Sequence, residues 1–200
     1  CDELSSDSPA PGGGSVAALA GALGASLSAM VANLTFGKKK WLALYDEMNY
    51  ISEKSQKIKS DLLLLIDKDT EAFNKVMDAF RLPQKSDKQK KLRQDAITMA
   101  MKTATMVPLH TLMLCADVLP LAKKAATSGN LNSVSDAGVS AELAYAGVRG
   151  AALNVYINLK DMKDTDFINE MQTKAQQMLA QSEKLLNEIR IIINDNLLNA

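Results

Sequence analysis

Two carboxylates spaced one residue apart are the groups in this chain best placed to move a proton. Asp67 and Asp69 lie in the run Asp67-Lys68-Asp69-Thr70-Glu71-Ala72-Phe73, inside a stretch from Leu42 to Phe80 that contains neither Pro nor Gly. Apolar residues recur through that stretch at helical spacing, as Leu44, Met48, Ile51, Ile58, Leu62, Leu65, Phe73, Val76 and Phe80, with gaps at Ser55 and Asp69. Asp69 is therefore expected on the apolar face, whereas Asp67, about 200° away around the helix, looks toward solvent. A bare carboxylate on an apolar face is costly unless it is paired or protonated. Asp69 reads either as a buried ion-pair partner or as a general acid/base.

A second group of residues suits ligand binding. Pro9-Ala10-Pro11-Gly12-Gly13-Gly14 is a turn whose glycines allow the backbone to come close to a ligand. Ser15 is expected to cap the helix that follows, which aims the amides of its first turn at an anion or a carbonyl. Asn154 and Asn158, four residues apart, share a helix face. Such amides satisfy each other, a helix end, or the hydrogen-bonding edge of a ring. Taken together, the glycine turn, one carboxylate and two amides suit proton transfer on a nitrogen heterocycle. The glycine turn is neither a phosphate loop, since no Lys follows Gly14-Ser15, nor a dinucleotide fingerprint, since no strand precedes it. His110 is the one histidine, and the cysteines are Cys1 and Cys115. That leaves little for a zinc cluster or a catalytic triad and suggests a reducing compartment with no metal site.

The elements that must position these groups are helical. With 47% hydrophobic but only 4% aromatic residues, the core has to be built from Ala, Leu, Ile, Val and Met, which favours helices over sheets. Acidic and basic residues balance at 23 each, which removes the electrostatic case for nucleic acid or an anionic membrane surface. Val16 to Phe36 is uncharged and long enough to span a bilayer, but it is rich in Ala, Gly and Ser and follows the acidic Asp2, Glu3 and Asp7. It is read as a close-packed central helix. Gly37-Lys38-Lys39-Lys40 then forms either a solvated stop or an electropositive lip for an acidic ligand tail. A third helix is expected from Ser86 to about Ala126, kinked or broken at Pro108 and Pro120. The fourth, again rich in Ala and Gly, runs to Leu159 and the fifth to about Asn194. The expected architecture is all-α, an antiparallel bundle of about five long helices forming a single domain over residues 1–200.

The blocks Pro9 to Ser15, Leu34-Thr35-Phe36-Gly37, Asp67 to Phe73, Leu82-Pro83, Val107-Pro108-Leu109, Gly129-Asn130, Ser135-Asp136 and Asn154 to Leu159 together resemble the cyclodeaminase domain of the formiminotransferase-cyclodeaminase family. The family includes stand-alone methenyltetrahydrofolate cyclohydrolases. The resemblance implies a tetrahydrofolate derivative as substrate, no tightly bound cofactor, a homodimer, a cytoplasmic location, and a separate formiminotransferase as a candidate partner. It implies Asp69 as the catalytic acid/base and Gly12, Gly13, Gly14, Ser15, Lys38, Asn130, Asp136, Asn154 and Asn158 as substrate contacts. The expected reaction is ring closure of 5-formiminotetrahydrofolate to 5,10-methenyltetrahydrofolate with loss of ammonia. The alternatives are hydrolysis of methenyltetrahydrofolate to 10-formyltetrahydrofolate, or folate binding without turnover.

Overall fold

A computed structural model describes residues 1–36 and 39–198. Five long helices follow in order: α1 (Gly13–Phe36), α2 (Tyr45–Arg81), α3 (Asp87–Ser128), α4 (Val134–Leu159) and α5 (Thr165–Leu198). Short 3-10 turns precede α2 and α4, and no strand occurs among the described residues. Consecutive helices pack on one another, α1 touches α2, α3 and α4, and α5 lies outside against α3 and α4. The expected all-α bundle of five helices is what forms.

The small residues of α1 explain its central position. Ala18, Ala22, Ala25, Ala29 and Ala32 are all buried; between them Gly24 admits the backbone of α4 and Gly21 the side chain of Cys115 on α3. A Cβ on Gly24 would lie 2.7 Å from the carbonyl oxygen of Ser140, and one on Gly147 would lie 2.9 Å from that of Ala17. At this crossing the Ser140 hydroxyl donates to the Gly24 carbonyl at 2.6 Å, leaving the Ser28 hydroxyl to donate to Ser140 Oγ at 2.8 Å. Both buried serines are thus satisfied inside the α1–α4 seam. The helices Gly13–Thr35 and Asp87–Ser128 are long and apolar enough to cross a membrane, but over half of the most apolar 18-residue window in each is buried inside the bundle.

α2 follows its periodicity only in part. Met48, Ile51, Ile58, Leu62 and Leu65 are buried, and Ser55 fills the first gap in the stripe within the core. Beyond Leu65 the stripe leaves the core: Phe73 and Val76 are half-buried and Phe80 is exposed. α3 begins with a capping box in which the Ser86 and Gln89 side chains exchange bonds with each other's amides. It continues unbroken through Pro108 and Pro120. Pro108 has no N–H for the carbonyl of Ala104 four residues back, and the Asn158 side-chain amide donates to that carbonyl at 2.7 Å instead. In this way α4 supplies the donor that Pro108 lacks.

Between α4 and α5, Asp164 caps α5 by accepting from the Phe167 amide at 3.1 Å and pairs with Lys102 of α3. The Lys102 hydrogen bond, with the Phe167 amide, holds the Asp164 carboxyl below its ordinary range. Its ionised form stabilises the fold above the unfolded-state value of about 3.9, and that contribution is lost as pH falls through the lower folded-state value. Asp164→Asn is expected to lower the melting temperature at neutral pH. The gap from the wild type should close in circular-dichroism melts as the pH falls below about 4.

Candidate active site

The start of α1, the C-terminal half of α2, the middle of α3 and the end of α4 enclose a groove of about 450 Å³. Its walls are Pro9, Ala10, the glycines 12–14, Asp69, Phe73, Val76, Met77, Phe80, Ala104, Asn154, Ile157 and Asn158, among others. Residues separated by most of the chain's length meet there. Three segments picked out for their chemistry, the glycine turn, the Asp67–Phe73 run and the Asn154/Asn158 pair, contribute to one cavity.

Asp69 is half-buried at the edge of this groove, not in the core, while Asp67 is exposed. No ion pair forms at Asp69 among the described residues. Its partner is Ser15, whose hydroxyl lies 3.0 Å from Asp69 Oδ2 and 3.3 Å from the carbonyl oxygen of Ile66. This corrects the reading of Ser15 as a helix cap. α1 begins two residues earlier, at Gly13, and the Val16 amide bonds the Gly12 carbonyl at 3.1 Å. Ser15 therefore falls inside the first turn, 3% exposed, and faces α2.

The three glycines differ in what they allow. A Cβ on Gly12 would meet nothing within 4 Å, and one on Gly13 would lie 3.3 Å from Asn154 Nδ2. On Gly14 it would lie 2.3 Å from Asp69 Oδ1 and 2.7 Å from Oδ2, so only glycine lets the α1 backbone approach the carboxylate. The clashing atoms are the end of a side chain that can rotate, so Gly14→Ala is expected to fold. It should displace the carboxylate and lower kcat by at least about tenfold, as misplacement of a reacting group does. Gly12→Ala provides the control, with thermal melts for folding and steady-state rates for activity.

The two amides do not pair with each other. Asn154 Nδ2 donates to the Gly150 carbonyl at 2.9 Å, and Asn158 Nδ2 to that of Ala104. Each side chain is fixed by one bond while lining the groove.

The groove does not take in every expected contact. Asn130 is buried at the α3–α4 turn, where its amide donates to Thr35 Oγ1 at 2.8 Å and its side chain accepts from the Asn132 amide at 3.2 Å. It ties that turn to the end of α1, so its bonds are structural. Asp136 lies in the first turn of α4, where a carboxylate complements the helix dipole. Lys38 lies outside the described residues. His110 is exposed and sits with Leu65 and Lys68 around a separate depression between α2 and α3. Cys115 is buried, and burial pushes its thiol up to about 12, which leaves it unreactive. Among the described residues no cluster of metal-ligating side chains occurs.

Periodicity alone places the groove's apolar wall on the buried stripe of α2. Phe73, Val76 and Phe80 continue the buried stripe of α2 in spacing, but here they line the groove, Phe73 and Val76 half-buried and Phe80 exposed. The polar break at Asp69 is the one signal in the sequence that marks where the stripe changes role.

Residues 1–177 match the family described as Formiminotransferase-cyclodeaminase. The methenyltetrahydrofolate cyclohydrolase of Methylorubrum extorquens is 45% identical over 188 residues, covering 94% of this chain and 90% of that protein. The formimidoyltransferase-cyclodeaminase of Mus musculus is 34% identical over 181 residues, and there the chain spans only 34% of the relative's length. The crystal structure of formiminotetrahydrofolate cyclodeaminase from Thermotoga maritima superposes with a TM-score of 0.87 at 32% identity, covering 97% of this chain and 93% of that one.

Proposed function

The chain belongs to the formiminotransferase-cyclodeaminase family, and from that premise we propose that it hydrolyses 5,10-methenyltetrahydrofolate to 10-formyltetrahydrofolate. The observation that carries the reading is a single carboxylate, free of any cationic partner among the described residues, held by a buried hydroxyl beside a groove with one amide-bearing wall and one apolar wall. The choice of hydrolysis over ring closure rests on the 45% identity to a cyclohydrolase that the chain matches over nearly its whole length.

The chemistry needs one group that works in both directions. The methenyl carbon is an electrophilic amidinium centre bonded to nitrogens 5 and 10. Water adds to it as Asp69 takes a proton, giving a tetrahedral carbinolamine. The bond to nitrogen 5 then breaks as Asp69 returns that proton to nitrogen 5. The hydroxyl becomes the formyl carbonyl and releases its proton to solvent. Ser15 suits both states of the carboxyl. Its hydroxyl donates to ionised Asp69 at 3.0 Å, and when Asp69 is protonated it accepts from the carboxyl and turns its own hydrogen to Ile66, 3.3 Å away. Each protonation state then keeps its hydrogen bond, so neither is left with a partly buried group unsatisfied.

The solved Thermotoga structure favours a second reading, in which the same carboxyl serves ring closure of 5-formiminotetrahydrofolate with loss of ammonia. Purified protein offered the two folates separately distinguishes them. Loss of the methenyl chromophore above the buffer rate supports hydrolysis, whereas its appearance from the formimino substrate supports cyclodeamination. No change with either, together with tight folate binding, would replace both with a binding protein.

A second copy of the chain fits this reading. Val16, Leu19, Leu23, Met30 and Leu34 form an exposed apolar stripe on α1, and Leu153 and Ile157 are exposed on the adjoining α4. Ile157 also lines the groove, so a copy seated on this face would close one side of the site. Light scattering of the purified protein should return twice the monomer mass, and a monomer at working concentration would remove the dimer.

A further inference from the structure

Four polar side chains line the groove, and three of them are already engaged: Asp69 with Ser15, Asn154 with the Gly150 carbonyl and Asn158 with that of Ala104. The fourth, Thr70, makes no hydrogen bond through its hydroxyl among the described residues. Most helical threonines of this chain behave differently. Thr35, Thr98, Thr103, Thr105, Thr111 and Thr127 each donate to the carbonyl four residues back, at 2.7 to 3.3 Å. Thr173 lacks that bond too, but it is exposed to bulk solvent on α5. For Thr70 the carbonyl in question belongs to Ile66, and the Ser15 hydroxyl lies 3.3 Å from it. A carbonyl oxygen offers two lone pairs. The helical amide of Thr70 takes one, and Ser15 stands at the other. The residue that holds Asp69 thus leaves the neighbouring hydroxyl without its usual acceptor, half-buried and lining the groove.

We propose that Thr70 binds the attacking water and is the residue that fits this groove for hydrolysis. The inference rests on the hydrolysis reading above. Asp69 and Thr70 are successive residues of α2, about 1.5 Å apart along its axis. A water between them donates one hydrogen to the Asp69 carboxylate and the other to Thr70 Oγ1, which leaves a lone pair for the methenyl carbon. As the carbon–oxygen bond forms, the π pair of the amidinium returns to nitrogen and the first hydrogen passes to Asp69 as a proton. Thr70 stays a neutral hydroxyl throughout. Ring closure takes its nucleophile from the substrate's own nitrogen and needs no such holder.

The test follows methenyltetrahydrofolate hydrolysis by the whole protein carrying Thr70→Val, Thr70→Ala or Thr70→Ser. Valine keeps the shape of threonine and removes the hydroxyl. Since no hydrogen bond within the protein is lost, the melting temperature should stay native. In the Val and Ala variants kcat should fall about 10- to 100-fold, as misplacement of a reactant causes, with KM little changed. Thr70→Ser, which keeps the hydroxyl, should recover most of the rate. The loss should be the same at every pH, because the titrating group is intact. Native kcat in both the Val and Ala variants overturns the proposal. So does a raised KM at native kcat, which would make Thr70 a folate contact, or a Ser variant as slow as Val. Each of these leaves hydrolysis by Asp69 standing. If the wild type does not hydrolyse the methenyl folate at all, the hydrolysis reading and the water site fall together.

Discussion

Asp69→Asn is expected to lower kcat for methenyltetrahydrofolate hydrolysis by about 10² to 10⁴, the range that one general acid/base supplies. Asparagine has the same shape and keeps an oxygen that can accept from Ser15, so the contact to α1 that lies 3.0 Å away in the native chain survives and the fold should be unaffected. What it lacks is a titratable proton. KM should therefore change far less than kcat, because on the proposed reading the pterin would be held by the groove walls and not by the proton itself. Asp67→Asn, at an exposed position two residues away, should keep the native rate. Measuring both variants with the same substrate separates the role of one carboxylate from the general effect of removing a negative charge. If Asp69→Asn kept full activity with either folate, the acid/base would have to be another group.

The second large effect concerns stability. Gly24→Ala is expected to destabilise the fold, although alanine is intrinsically the better helix residue by about 1 kcal/mol. The added Cβ would lie 2.7 Å from the Ser140 carbonyl oxygen and 3.1 Å from the Ala144 nitrogen. Both are backbone atoms of α4, so nothing local can rotate away and the two helices must separate. Separation would stretch the Ser140 to Gly24 hydrogen bond, 2.6 Å in the native seam, and loosen the buried alanines on either side. Overpacking of this kind costs about 1 to 3 kcal/mol, and the lost contacts add to it. A fall in melting temperature of about 2 to 12 °C follows for a chain of this size. Gly138→Ala is the natural comparison, since its Cβ would meet only the Ile193 side chain at an ordinary 3.4 Å. A rise in melting temperature for Gly24→Ala would mean that the α1–α4 approach is looser than described.

The two variants probe the same piece of architecture from opposite ends. The close seam at Gly24 sets how near α1 lies to α4. The first turn of α1 then carries Gly14 and Ser15 to Asp69 on α2, and Asn154 and Asn158 approach from α4. A groove assembled from separate helices keeps its geometry only while those helices hold their spacing, and the Ala and Gly residues at the α1–α4 crossing set that spacing.

Helix number, the order of the helices and the central place of α1 were legible in the residues themselves, because periodicity, caps and side-chain size act locally. Asp69 could be separated from Asp67 for the same reason, since a two-residue step turns a side chain to another face of the helix. The partner of Asp69 was not legible: Ser15 reads locally as a cap, and only the start of α1 at Gly13 turns its hydroxyl toward α2. Nor was the structural role of Asn158, which serves a carbonyl left open by Pro108 on another helix. Phe73, Val76 and Phe80 carry the spacing of core residues, yet whether an apolar face packs in the core or lines a groove depends on how the neighbouring helices are placed. The chain alone determined its helices and its one singular carboxylate. Which groups face each other across the groove was decided by tertiary packing, because those contacts join residues far apart along the chain.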